Sequence, residues 1–179
     1  MKVRSITLWI ILWAALLTGC VPKAQTEQMI IAPADLETYQ GNAKLKHNLV
    51  VKEVLGGGNE TNWVNRPEIE NKEFKEALLQ SLETAQLLNP NPPGKYTLLA
   101  KLVYVDRPDW GLDMTATVTA KYIVVEDATN REMYNEIIRT FHTATMGEAF
   151  GGMTRLQLAL EGAARKNITK FISDLYQLE

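Results

Sequence analysis

The chain has 179 residues, 46% of them hydrophobic and 22% charged, with 19 Lys+Arg against 21 Asp+Glu and a single cysteine. That composition excludes a disordered chain, which needs few apolar residues and a large net charge, and a disulfide framework, which needs cysteines in pairs. A net charge of -2 also speaks against a nucleic-acid binder, because such domains carry a basic excess that neutralises phosphates.

Residues 1–19 differ in kind from the rest. Lys2 and Arg4 make a short positive start, and Ile6 to Leu17 follow as an almost wholly apolar run. Roughly a dozen residues are too few for a bilayer core, which needs about 20 in a helix, but they suit the apolar region of a signal peptide. The run ends in Leu17-Thr18-Gly19-Cys20. Here the chain resembles the lipobox of bacterial lipoproteins: an aliphatic residue, a small residue, Gly or Ala, then cysteine. The resemblance implies that Cys20 takes a diacylglycerol on its thiol, that cleavage falls between Gly19 and Cys20, and that the new amino terminus is acylated. One acyl chain binds a membrane marginally, whereas two or three anchor it stably. Val21 stands where Asp would signal retention at the inner membrane. The resemblance therefore implies a lipid-anchored protein of a Gram-negative bacterium, on the periplasmic side of the outer membrane.

Loss of residues 1–19 removes Lys2 and Arg4, so the mature chain is more acidic than the whole. A chain near this length buries about 68–70% of its unfolded surface, enough for one core. Residues 20–44 show Pro22, Pro33, Gln, Thr and Glu without a sustained period. They read as a lipidated tether, with a short apolar contact at Met29-Ile30-Ile31 and, if flexible, a reach of roughly 25–30 Å.

Residues 45–179 read as one α+β domain. Leu45 to Leu55 is a strand that stops at Gly56-Gly57-Gly58, and Asn59 to Ile69 is a polar loop with Trp63. From Asn71, read as an N-cap, Phe74, Ala77, Leu78, Leu82, Ala85 and Leu88 recur at helical spacing. The proline-rich run from Asn89 to Gly94 ends that helix. Tyr96 to Val105 is a second strand, and Pro108-Asp109-Trp110-Gly111 is a turn. Leu112, Met114, Ala116, Val118, Ala120, Tyr122 and Val124 then alternate with Asp113, Thr115, Thr117, Thr119 and Lys121, a half-buried strand. After a turn at 127–130, residues 132–145 favour strand, with an ambiguous facing because Met133, Ile137 and Phe141 share a side with Arg131 and Arg139. From Thr154 to Leu178 an apolar stripe runs through Leu156, Leu160, Ala163, Asn167, Phe171 and Leu175. The order β-α-β-β-β-α predicts an antiparallel sheet of about four strands with two helices on one face. As a pattern of elements this is similar to the small periplasmic domains of the curli-secretion lipoprotein and of the lipoprotein activator of penicillin-binding proteins. It transfers no functional residue.

Chemistry is sparse in the mature sequence. Ser81 and Ser173, its two serines, fall inside predicted helices, and there is no Gly-x-Ser-x-Gly elbow. His47 and His142 lack paired ligands at helical or turn spacing. The one thiol is assigned to lipid. The three glycines at 56–58 lack the Gly-Lys-Ser/Thr ending of a phosphate loop. Asp106, Asp109 and Asp113 bracket one turn but fall short of the six to eight oxygens of a calcium site. Glu148 and Glu161 read as helix-face ion-pair partners of Arg155 and Arg165. No catalytic residue, metal site or cofactor is assigned. Trp63 and Trp110 stand in loops, each either an interaction hot spot or a lid folded back over the core, and the row Thr115, Thr117 and Thr119 reads as a polar face or edge, open to a partner strand or simply solvated.

The expectation is a non-enzymatic lipoprotein, membrane-bound through its anchor, that binds another envelope protein and no nucleic acid. A small-ligand or lipid-binding accessory protein of an envelope transporter is the second reading and would have an apolar pocket between sheet and helices. An envelope hydrolase or acyltransferase is the third.

Overall fold

The computed structural model describes residues 23–36, 44–57 and 68–178. Leu17, Thr18, Gly19, Cys20 and Trp63 lie outside the described residues. A short helix α1 (Thr26–Met29) is followed by a single 3-10 turn at Pro33–Leu36, and then by β1 (Leu49–Leu55), α2 (Asn71–Thr84), β2 (Tyr96–Asp106), β3 (Met114–Glu126), β4 (Arg131–Ala144) and α3 (Gly152–Gln177). The four strands form one sheet in the order β1-β2-β3-β4, so the class is α+β as expected.

Three strands form the expected antiparallel meander, but β1 joins β2 in parallel. The reason is α2. A 14-residue helix carries the chain about 21 Å back along the sheet, so the next strand starts beside the start of β1 and runs the same way. The helix ends at Thr84 rather than near Leu88. Gln86 adopts φ 57°, and the amides of Gln86 and Leu87 donate back to the carbonyls of Glu83 and Leu82, a left-handed helix stop built without glycine. Leu88 is thereby released to bridge Leu49.

All three helices lie on one side of the sheet. The alternation in β3 falls as read: Met114, Ala116, Val118, Ala120, Tyr122 and Val124 are buried beneath the helices. The ambiguity in β4 is settled by tertiary contact. His142 lies against Gly162 of α3 and the Thr140 hydroxyl donates to the Ala163 carbonyl, so even positions face the helices and Ile137, Arg139 and Phe141 face outward. Between the layers Tyr122 stacks on Phe171 with ring centroids 4.1 Å apart, and Tyr134 tilts against the same ring. Asn167, inside the apolar stripe, is fully buried and accepts the Tyr122 hydroxyl at 2.8 Å. Aromatic rings and this polar link fill the centre of the layer between the sheet and α3.

Ala24, Met29 and Ile31 are buried in the core. Part of the stretch read as a tether is therefore packed on α2 and α3: the Gln25 amide donates to Glu161, the Thr26 hydroxyl reaches the Glu73 carbonyl, and the Ile31 amide donates to Ser81. The apolar contact at Met29-Ile30-Ile31 is the centre of this docking.

Candidate interaction surfaces

The strand directions gather one set of ends together. β1 and β2 finish, β3 begins, β4 finishes, and α2 and α3 begin at the same end of the domain. Local bonds tie the start of α2 to this end: Asn71 accepts the Gly57 amide at 2.6 Å, and Arg107 pairs with Glu68 at 3.2 Å. Asn71 is therefore the first helical residue, with Glu70 at the cap, and its side chain ties α2 to the end of β1.

Two loops project from this end, residues 107–113 and 145–151. Trp110 is 86% exposed, Phe150 88% and Leu112 74%, and Met146 and Met153 are also exposed. Leu112 was expected on the inner face of β3, but the strand starts at Met114 and leaves Leu112 in the turn. Exposed apolar residues mark an interaction site when they form one contiguous patch.

The loops are held in place by Arg155, which is 6% exposed in the first turn of α3. Its guanidinium donates to the carbonyls of Ala149 at 2.8 Å, Phe150 at 2.7 Å and Gly111 at 3.3 Å. One planar fork thus binds both loops, which brings Trp110, Leu112 and Phe150 into one patch. A second link is the Met146 amide to Asp113 at 3.3 Å. Within its loop Glu148 accepts the amide and hydroxyl of Thr145, and these bonds lower its carboxyl pKa. The ion pairs read for Glu148 with Arg155 and Glu161 with Arg165 do not form among the described residues, because Arg155 turns to loop carbonyls and Glu161 to the amides of Gln25 and Gln157. Burial raises the Glu161 pKa.

The second surface is β4. It is 14 residues long and pairs only with β3 among the described strands. The row Thr115, Thr117 and Thr119 is not an edge, since β3 is bonded on both sides. The sheet's edges are β1, where Leu49 is bridged by Leu88, and the longer β4, which has Ile137 and Phe141 exposed and charges of both signs at Arg131, Glu132, Glu136 and Arg139. Beside it lies an open groove of about 640 Å3, lined by β4 and by Lys170, Asp174 and Gln177 of α3.

The residues weighed for chemistry do not converge. His47 precedes β1 at the far end of the sheet, whereas His142 sits in β4 near the loop end. Burial, with Lys166 nearby, lowers the His142 pKa. Ser81 is buried and accepts an amide. Asp113 serves the Met146 amide. Among the described residues no group of three or more His, Cys, Asp or Glu could hold a metal ion. No described helix is long and apolar enough to cross a membrane.

Sequence reading singled out Trp110 but missed Leu112, Phe150 and Arg155. Phe150 carried the same signal as Trp110, an aromatic residue in a loop, beside Gly147, Gly151 and Gly152. Arg155 carried none, because its targets are backbone carbonyls.

The α+β fold has known structural counterparts. A Xanthomonas campestris protein of the DUF330 family aligns with a TM-score of 0.57 at 9% identity, covering 77% of this chain and 90% of that one. A protein of Caulobacter crescentus described as a candidate lipoprotein aligns at 0.47 and 14% identity, covering 74% and 90%. A minor lipoprotein of Acinetobacter baumannii aligns at 0.38 and 12% identity, covering 73% and 93%. The first likeness is one of fold, and the two lower TM-scores add nothing to it. No family model and no curated protein matches the sequence.

Proposed function

We propose that the chain is a lipid-anchored protein of the cell envelope, held through Cys20 at the periplasmic face of the outer membrane, that works without catalysis by binding an extended segment of another envelope protein along β4. The supporting observation is the open edge itself. Along the 14-residue strand alternate residues turn their main-chain groups away from β3 toward an added strand, and the adjoining groove receives its alternate side chains. The charges along β4 discourage indiscriminate pairing and favour a partner with a complementary pattern.

Photo-crosslinking tests this in the native membrane. A crosslinker at Asn135 or Ile137 of the lipidated protein should give one discrete adduct, while the same group at Lys75 on α2 gives none. Ile137→Asp with Phe141→Asp should abolish the adduct without lowering the melting temperature, since both side chains are exposed. A protein that yields no edge-dependent adduct is not a partner-binding module of this kind. Membrane fractionation of a processed Cys20→Ala protein tests the anchor separately, and continued membrane association would remove it.

A further inference from the structure

We infer that the Trp110, Leu112 and Phe150 end of the domain is seated in the lipid surface to which the chain is anchored. The inference rests on lipidation of Cys20 and goes beyond partner binding at β4, because it assigns a second surface and orients the domain. Its basis is where the described chain begins. From Ile31 back to Thr26 the chain runs along α2 from Ser81 to Glu73, toward the loop end. Lys23 then bonds Glu70, at the cap of α2, at 2.6 Å. Cys20 precedes Lys23 by three residues, a span of at most about 10 Å. An acyl chain on Cys20 therefore holds the bilayer surface beside the end that carries the apolar loops.

The chemistry of that end fits a lipid interface. Tryptophan favours the membrane-water boundary, and flanking Leu112, Met146, Phe150 and Met153 supply apolar area for shallow insertion of about 5–10 Å. Arg155 fixes both loops before they meet the membrane, so less ordering cost falls on insertion. Among the described residues at this end, Asp109, Asp113 and Glu148 offset Arg107 and Lys23, so these residues form no basic patch that selects anionic lipid. Seating is therefore apolar in origin.

The test uses the full lipidated protein with Trp63→Phe, which leaves Trp110 as the sole tryptophan once Trp9 and Trp13 depart with the signal. It is reconstituted into phosphatidylcholine vesicles, with and without phosphatidylglycerol, carrying bromine on the acyl chains. Seating predicts emission shifted to shorter wavelength and quenching of about twofold or more in both lipid mixtures. Leu112→Asp with Phe150→Asp should still float with the vesicles yet lose most of that quenching. Trp110→Phe with Trp63 intact gives the background from the other tryptophan.

Flotation separates the two failures. If the protein does not float with vesicles, the anchor is wrong. If it floats and Trp110 keeps water-like emission and full access to acrylamide, the seating is wrong. Quenching confined to anionic vesicles would overturn the apolar basis. Trp110 shielded from acrylamide but untouched by brominated lipid would mean that a protein surface covers this end, and would also overturn it.

Discussion

Asn167→Leu removes a polar residue from the centre of the core at nearly constant volume. The Asn167 amide nitrogen donates to the Ile138 carbonyl at 2.9 Å, the Thr140 hydroxyl at 3.1 Å and the Val118 carbonyl at 3.2 Å, and its oxygen accepts the Tyr122 hydroxyl at 2.8 Å. Thr140 keeps its bond to Ala163, and the Val118 contact is the longest. The Ile138 and Val118 carbonyls sit in the β3–β4 ladder, so the Tyr122 hydroxyl bears the main cost. Burial holds that hydroxyl far above its ordinary pKa, so it stays a neutral donor in need of an acceptor. A buried group left unpaired costs about 1–3 kcal/mol, the loss expected for Asn167→Leu. That is a large share of the roughly 5–15 kcal/mol that holds a typical domain together. Adding Tyr122→Phe removes the stranded hydroxyl and should return about 1–3 kcal/mol. Equilibrium urea unfolding, with the slope unchanged, measures both steps. An Asn167→Leu protein within about 0.5 kcal/mol of the parent, or no recovery on adding Tyr122→Phe, would refute the reasoning.

Arg155→Lys keeps the charge but loses the planar fork that spans two loops. Amide exchange in residues 107–113 and 145–151 should accelerate by about tenfold or more, with the β3 core unchanged. Gly162→Ala would place a methyl 2.0 Å from the His142 ring, so it should destabilise by about 1–3 kcal/mol by urea unfolding, with His142→Ala in the same background relieving most of the loss. Burial raises the Glu161 pKa, so its folded form favours the proton. The stability linked to this group is complete below the ordinary value of 4.5 and is lost as pH rises through the folded value. Glu161→Gln should therefore gain melting temperature relative to the parent as pH climbs from 4.5 toward neutrality, and a constant difference across that range would contradict the assignment.

Much of this organisation was legible in the residues. Alternation from Met114 to Val124 set one face of β3 toward the core, because successive strand residues point to opposite sides. The stripe from Leu156 to Leu175 set the buried side of α3 in the same way. The anchor proposed at Cys20 rests on the residues Leu17 to Cys20 alone, which lie outside the described residues. What sequence left open were the features that depend on contacts between distant residues. The facing of β4 was decided by Gly162 meeting His142 and by Thr140 meeting Ala163. The parallel β1 followed from the return path of α2, and the early stop of α2 from a left-handed Gln86 where no glycine gave warning. The apolar end needed the tertiary structure most of all. Trp110 and Phe150 stand 40 positions apart in the chain, and only the antiparallel course of β3 and β4, with Arg155 bonding backbone carbonyls of both loops, makes them one surface. A side chain that binds carbonyls leaves no pattern in its targets, since every residue has one. Composition thus bounded the kind of protein and periodicity its elements, while the folded chain alone decided which end faces which neighbour.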